Sequence, residues 1–212
     1  MKRVALVTGF EPYGGHHANP SAVVAEALDG AAIAGLTVVG RVVPVAIQGL
    51  GRRIERLLGE HDPAIVVASG LAPGEPVIRL ERIGVNLADF PIPDNRGRRP
   101  VERPLVRGGP DALFATLPLR AILGALNRRG IPARLSETAG LYLCNAMLYR
   151  LLLAAKVPCG FIHLPCLPSQ AAGRRGKGEA DPPMPSMAAE TMIEAVRVAL
   201  AVTAKLNAGR RR

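Results

Sequence analysis

Short apolar runs alternate with helical patterns through the first third of the chain, and this alternation constrains the fold more than any other feature. Val4–Val7 and Ile65–Ala68 are continuous apolar runs, and Leu36–Val43 is a third strand pattern. Runs of this kind are typical of parallel strands that are buried on both faces of a sheet. Helical patterns at Pro20–Ala27 and Ile47–Leu58 separate the strands. The alternation predicts an α/β fold, a three-layer α/β/α sandwich with a twisted, mostly parallel central sheet.

The rest of the chain continues the alternation on both sides of one irregular stretch. The patterns predict strands at Ala133–Leu135 and Phe161–Leu164, and helices at Leu119–Asn127, Cys144–Ala155 and Ala188–Leu206. Residues 89–110 contain five prolines, which predicts a long excursion over the surface. With 212 residues in all, we expect one domain over 1–212, with a flexible loop at 169–185 and a basic tail at 207–212.

The formal net charge of +10 raises the question of nucleic-acid binding. The basic residues are mostly arginines scattered along the chain, and aromatic residues, which would stack on bases, make up only 3%. We therefore interpret the charge as a property of the solvated surface, with nucleic-acid binding as the alternative. The apolar runs are too short for a transmembrane helix, which needs about 18 residues.

Three cysteines, at 144, 159 and 166, cannot all pair with one another. An odd number fits a reducing compartment, so we expect a cytoplasmic protein in which one thiol can be reactive. The spacing between Cys159 and Cys166 is too long for a zinc knuckle, and no second pair exists.

Cys144 and His163 are candidate catalytic residues because of their places in the predicted elements. Cys144 begins one helix, and His163 lies near the end of the next strand. In a right-handed β-α-β unit of parallel strands, both positions lie on the same rim of the sheet. A helix N-terminus favours a thiolate, and a nearby imidazole can take up its proton and return it. The alternative is a small core cysteine beside a hydrogen-bonded core histidine, and the spacing alone leaves both interpretations open.

Four sequence blocks add to this argument. They are Val7–Gly15 with Asn19–Ser21, Glu81–Asn86 with Ile92–Asn95, Ser136–Asn145, and Gly160–Pro165. In this order the blocks resemble the motifs of the pyroglutamyl peptidase I (pyrrolidone-carboxylate peptidase) family of cysteine peptidases. The resemblance covers most of the chain between residues 4 and 170, and it favours the catalytic interpretation of Cys144 and His163.

The resemblance implies a cysteine exopeptidase that removes N-terminal pyroglutamate from peptides. The family's catalytic arrangement falls on Cys144 as nucleophile, His163 as acid and base, and Glu81 as the carboxylate that orients His163. The implied reaction is acyl transfer through a thioester, without a metal ion or an organic cofactor. Pyroglutamyl peptides are the implied substrates, and a homotetramer, or a dimer, is the implied assembly.

A pyroglutamyl ring has flat apolar faces, one N–H, one C=O and no free amine, so apolar walls with backbone hydrogen bonds would suit it. By resemblance, eight residues form the substrate-binding site: Phe10, Tyr13, Asn19, Val45, Leu71, Ile92, Tyr142 and Leu143. The alternative for Phe10 and Tyr13 is that they only pack their own loop.

Several positions depart from the family pattern, among them Val45, Leu71 and Ala146, and two others bear on the choice of function. Pro91 stands where the family commonly has an arginine, and Arg79 stands where a serine or threonine is usual. These departures support the alternative function, a catalytically weak or inactive relative that binds a lactam or a peptide on the same fold.

Overall fold

The computed structural model describes residues 3–172 and 184–209. In chain order its strands are β1 (Arg3–Phe10), β2 (Ala32–Ile33), β3 (Leu36–Val43), β4 (Ile65–Leu71), β5 (Ile78–Glu81), β6 (Ile83–Val85), β7 (Ala112–Phe114), β8 (Ala133–Ser136) and β9 (Cys159–Leu164). Seven strands form one sheet in the order β2-β3-β1-β4-β9-β5-β8, while β6 and β7 pair separately. The short strands β2 and β7 were not predicted, because two or three residues are too few to show a period, whereas β5 and β6 lie in a stretch, 77–87, whose mixed pattern predicts a half-exposed strand or hairpin.

Helices cover both faces of this sheet. They are α1 (Pro20–Leu28), α2 (Leu50–His61), α3 (Leu119–Asn127), α4 (Leu143–Ala154), α5 (Pro168–Ala172) and α6 (Ala189–Gly209). One core joins α1, α3 and α6 to strand residues such as Val7 and Ile162, and a second joins α2 and α4 to Leu6 and Phe161. Neighbouring residues of one strand thus enter opposite cores, as the pleat requires. The α/β prediction, with helices on both faces, is confirmed.

Strand direction corrects one expectation. Strands β3, β1, β4 and β9 are parallel to one another, but β5 is antiparallel to β9 and parallel to β8. The predicted β-α-β unit of parallel strands around Cys144 is therefore wrong, since α4 follows a strand that runs opposite to β9. Cys144 reaches His163 by another route. Residues 137–142 turn back across the sheet, so that the Thr138 carbonyl accepts a hydrogen bond from Arg79, which lies opposite His163.

The proline-rich excursion at 89–110 is irregular, as predicted. It contains no helix and no strand, and its one β-bridge joins Arg103 to Ala88. Asp94 is only 4% exposed and organises the segment: its Oδ2 accepts a hydrogen bond from the Ile47 N–H, and its Oδ1 accepts from the N–H groups of Arg96 and Arg98.

Two further expectations fall partly outside the described residues. Of the loop predicted as flexible at 169–185, residues 169–172 belong to α5, and 173–183 are not described. Of the tail at 207–212, residues 207–209 continue α6, and 210–212 are not described. In the described ranges, no helix combines the length and apolar character that crossing a membrane requires. We propose that the chain is a single domain, because one sheet supports both cores.

Candidate active site

Strand register gathers the polar side chains of the site on the α2/α4 face of the sheet. His163 on β9 pairs with Gly70 on β4 and with Arg79 on β5. Glu81 pairs with Phe161, which is two residues from His163 along β9. Residues two apart on a strand share a face, so Glu81 and His163 point to the same side and lie diagonally across from each other.

His163 and Glu81 form a buried hydrogen-bonded pair. The His163 Nδ1 atom lies 2.7 Å from Glu81 Oε1. Glu81 is 0% exposed and His163 is 5% exposed. Because Nδ1 faces the carboxylate, Nε2 is the ring nitrogen that is left to face a reacting thiol. A carboxylate in this place fixes the ring orientation and stabilises the imidazolium form.

Cys144 is the second residue of α4 and lies over β4. A Cβ atom built on Gly70 would be 2.8 Å from the Cys144 Sγ, so the sulfur lies close above the residue that pairs with His163. Tyr142 precedes the helix and makes no side-chain capping bond among the described residues. The first amides of α4 therefore present N–H groups and the positive end of the helix dipole near the sulfur.

The electrostatic surroundings of His163 favour its charged form. Burial lowers the pKa of His163, but the charge and hydrogen bond of Cys144, together with the hydrogen bond and charge of Glu81, raise it by more. The pKa of His163 is thereby raised from 6.5 to about 9. The imidazolium form is thus favoured at neutral pH.

A cavity of about 240 Å³ opens beside these groups. It is lined by Cys144 and His163 together with Tyr13, Leu71, Ala72, Pro73, Glu75, Arg79, Ala139, Gly140 and Tyr142. Its volume is below the range of about 300–1,000 Å³ that is usual for drug-sized ligands, so it suits a small ring. Two larger depressions, of about 370 and 420 Å³, have no cysteine in their lining and do not reach the Cys144–His163 pair.

The aromatic residues form one wall. The rings of Tyr13 and Tyr142 are 5.8 Å apart, and Phe90 contacts Tyr142 edge-on at 4.6 Å. The Tyr142 hydroxyl donates a hydrogen bond to the Pro93 carbonyl at 3.0 Å. Burial and then the nearby Asp94 raise the pKa of Tyr142 to about 12, and burial followed by Cys144 raises the pKa of Tyr13 as well. Both phenols therefore stay neutral.

The eight predicted binding residues take different places. Three line the cavity: Tyr13, Leu71 and Tyr142. Three are almost fully buried in the core beneath it: Phe10, Val45 and Leu143. Ile92 is 42% exposed and lies next to the loop at Gly14. Asn19 is buried and caps α1 by accepting from the Ser21 N–H, while its amide donates to the Glu11 carbonyl, so its side chain acts within the protein.

Two supporting residues were not selected from the sequence. Asn145 is fully buried and makes three hydrogen bonds of 2.9 Å to the backbone of Val85 and Leu87, which secures the start of α4 next to Cys144. Phe90 is 1% exposed and supports Tyr142. A polar residue directly after a candidate nucleophile was a usable signal for Asn145, whereas the contact of Phe90 depends on how the excursion folds.

Comparisons with known proteins agree with this geometry. The sequence profile described as pyroglutamyl peptidase matches residues 2–206. The pyrrolidone-carboxylate peptidase of Pyrococcus furiosus is 45% identical over 202 residues, which cover 93% of this chain and 96% of that protein. The pyrrolidone-carboxylate peptidase of Klebsiella pneumoniae is 44% identical over 93% of this chain and 91% of its own length.

A solved structure is similar as well. The crystal structure of a mutant pyrrolidone carboxyl peptidase from P. furiosus superposes with a TM-score of 0.91, at 42% identity, over 95% of this chain and 98% of that one. Because these matches extend over more than nine-tenths of both chains, they show the fold and the family together. The chain belongs to the pyroglutamyl peptidase family.

Proposed function

We propose that this protein hydrolyses the bond after an N-terminal pyroglutamate through a thioester on Cys144, with His163 as acid and base and Glu81 as its orienting partner. The observation that carries the assignment of residues is the hydrogen bond from His163 to Glu81, together with the small cavity that His163 and Cys144 both line. Removal of pyroglutamate is the activity of this enzyme, in keeping with its family.

The first half-reaction forms the thioester. The Cys144 thiolate attacks the carbonyl carbon of the pyroglutamyl residue, and a carbon–sulfur bond forms as the carbonyl oxygen becomes an oxyanion. Backbone N–H groups at the start of α4 stabilise this charge. The His163 imidazolium then donates its proton to the departing amine, the carbon–nitrogen bond breaks, and the shortened peptide leaves.

The second half-reaction hydrolyses the thioester, with neutral His163 as the base. Once Cys144 is acylated, it no longer supplies the negative charge that holds the proton on His163. The neutral imidazole removes a proton from water, which attacks the thioester, and the carbon–sulfur bond breaks. Pyroglutamate leaves, and the sulfur departs as a thiolate beside an imidazolium. The original ion pair is restored without any other reactant.

Recognition of the lactam follows from the lining of the cavity. Tyr13 and Tyr142 offer flat apolar surfaces to the ring, and the backbone at Leu71 offers polar groups to its N–H and C=O. The described lining has one carboxylate, Glu75, which is paired with two arginines and so does not select a free amine.

The function is tested by a pair of chromogenic amides. A pyroglutamyl amide should be hydrolysed at least about 100-fold faster than a prolyl amide, because the prolyl ring lacks the lactam carbonyl and leaves its partners in the site without a hydrogen bond. Steady-state kcat/KM for both amides measures the difference. Equal values, or no turnover of the pyroglutamyl amide by folded protein, would contradict the proposal and favour the inactive relative.

The pH dependence follows from His163. Its imidazolium must be present in the resting ion pair, and its pKa is raised to about 9. We expect kcat/KM to stay high through neutral pH and to fall above about pH 9, where the proton is lost. A fall that begins near pH 6.5, as for an isolated histidine, would show that Cys144 and Glu81 do not stabilise the charge.

Assembly and location complete the proposal. A homotetramer is supported by exposed apolar side chains, since Val101 is 58% and Phe114 is 68% exposed in the single chain. A monomer in light scattering would end this part of the proposal. A cytoplasmic location is supported by the proposed role of Cys144, because a reducing compartment keeps its thiol available for catalysis.

A further inference from the structure

Arg79 occupies a position next to the catalytic groups that the mechanism above does not use. It lies on β5 two residues before Glu81, on the same face, and pairs with His163 across the sheet. Its side chain is only 16% exposed and lines the cavity that holds Cys144. In the sequence alone, this arginine is only a departure from the family pattern.

The Arg79 guanidinium is held by four groups. Its Nε lies 3.1 Å from Glu81 Oε1, the same oxygen that is 2.7 Å from His163 Nδ1. Nε and Nη2 donate to Ser136 Oγ at 3.2 and 2.8 Å, and Nη2 also donates to the Thr138 carbonyl. Nη1 donates to Glu75 Oε1 at 3.1 Å. A planar guanidinium can make all of these contacts at once, whereas the single ammonium of a lysine cannot.

The second oxygen of Glu81 shows why the Arg79 contact matters for the orientation of the carboxylate. Glu81 Oε2 is buried and has no hydrogen-bond partner among the described residues. The carboxylate orientation therefore depends on Oε1 alone, and Oε1 is shared by His163 and Arg79. Without Arg79 the carboxylate is held only by the histidine that it has to orient, and the pair can rotate together.

We propose that Arg79 is a positioning residue for the hydrolysis: it holds the Glu81 carboxylate that orients His163, and it holds the turn at Thr138 that leads into the Cys144 helix. The inference deepens the proposed function and rests on it. It also explains how residues 137–142 stay folded back over the sheet, since Arg79 links Thr138 to β5.

The charge of Arg79 has a second effect, on the pH profile. The positive charge of Arg79 lies beside the Glu81 oxygen that stabilises the imidazolium and offsets part of its negative charge. Arg79 therefore opposes protonation of His163. The charged and titratable groups around it come from several elements: Glu81 on β5, His163 on β9, Cys144 on α4, Arg134 on β8, and Glu75, Tyr13 and Tyr142 in the adjoining loops. Glu75 pairs with both Arg79 and Arg134, and it offsets part of their charge.

Arg79→Ser and Arg79→Lys separate the two effects. For Arg79→Ser we expect kcat to fall about 10-fold at little change in KM, because the reacting groups lose alignment. We also expect the alkaline limb of kcat/KM to move up by about one pH unit, because the imidazolium is no longer opposed. Arg79→Lys keeps the positive charge but loses the planar guanidinium with its several N–H donors. Its kcat should therefore fall, while the alkaline limb of its kcat/KM stays at the same pH.

Arg134→Gln is the matched control. It removes a neighbouring cation that also contacts Glu75, but it is 49% exposed and makes no described contact with Glu81. We expect both kcat and the alkaline limb to match the unmodified enzyme. The proposal is overturned if Arg79→Ser keeps the original kcat and limb, if Arg134→Gln moves the limb equally, or if Arg79→Lys keeps full kcat.

A readout without turnover keeps this test separate from the substrate assignment. The rate of Cys144 alkylation by iodoacetamide changes as His163 loses its proton, and its pH dependence can be followed in all four proteins. The pH at which the alkylation rate changes should rise in Arg79→Ser and in none of the other three proteins. If the enzyme fails on the pyroglutamyl amide but this pH rises, the proposed function fails and the electrostatic role of Arg79 stands. If the amide is hydrolysed and this pH does not rise, that role fails.

Discussion

Cys144→Ser should abolish hydrolysis of a pyroglutamyl amide, with a loss in kcat of at least about 10³-fold. A serine hydroxyl holds its proton far more firmly than a thiol, so the anion beside the His163 imidazolium is not formed. The substitution changes one buried atom in a side chain that is 9% exposed, and the new hydroxyl can still face His163. Initial rates and a thermal melt, measured on the same preparation, separate lost chemistry from lost folding.

Cys159→Ser makes the same chemical change away from the cavity. Cys159 is 1% exposed, and its Sγ lies 3.7 Å from Thr116 Oγ1 and 3.9 Å from the Leu151 carbonyl. Burial raises the pKa of Cys159 to about 11, so it offers little thiolate at neutral pH. We expect the activity of Cys159→Ser to stay within about 2-fold of the unmodified enzyme. Full activity in Cys144→Ser, or its loss in Cys159→Ser, would end the assignment of Cys144 as the nucleophile.

Gly70→Ala should lower kcat/KM by about 100-fold or more, although the change adds one methyl group and no charge. The new Cβ would lie 2.8 Å from both Cys144 Sγ and Phe161 Cζ, closer than these atoms can approach. Phe161 is fully buried, so the strain falls largely on the sulfur, which moves away from His163. A misplacement of about 1 Å can cost about 10²-fold in rate. Overpacking should also lower the free energy of unfolding by about 1–3 kcal/mol.

Gly59→Ala is the matched control for this change. Gly59 lies in α2 and is exposed, and a Cβ built there meets no atom within 4 Å. Alanine is the better helix former, so the free energy of unfolding should rise by about 0.5–1 kcal/mol at unchanged kcat/KM. Denaturant unfolding and steady-state kinetics measure both quantities. Unchanged kinetics in Gly70→Ala would show that the sulfur does not lie over β4 in the active enzyme.

Local patterns were sufficient for most of the elements in the sandwich. The strand at Leu36–Val43 and the helix at Leu119–Asn127 have the predicted bounds. Asn19 and Pro20 begin α1 as their capping chemistry requires, with Asn19 accepting a hydrogen bond from the Ser21 N–H. These features depend on residues close together in the chain, where side-chain period and backbone preference act directly.

The direction of β8 could not be derived in this way. A strand shows the same alternation in either direction, and the expectation of a parallel unit around Cys144 followed from the usual β-α-β connection of parallel sheets. The actual arrangement depends on β5, which lies between β8 and β9 and is antiparallel to β9. The approach of Glu81 to His163, 82 positions away, depends on the same pairing.

The amino-acid sequence by itself determined the α/β class, the caps and apolar runs, and, through the motifs, which cysteine, histidine and glutamate to consider together. Only the tertiary structure decided that one oxygen of Glu81 is shared by His163 and Arg79, and that Gly70 leaves room for the sulfur of Cys144. Such contacts join strands from distant parts of the chain. Their geometry is set by the pairing register and by the close packing of the whole core, which no local pattern records.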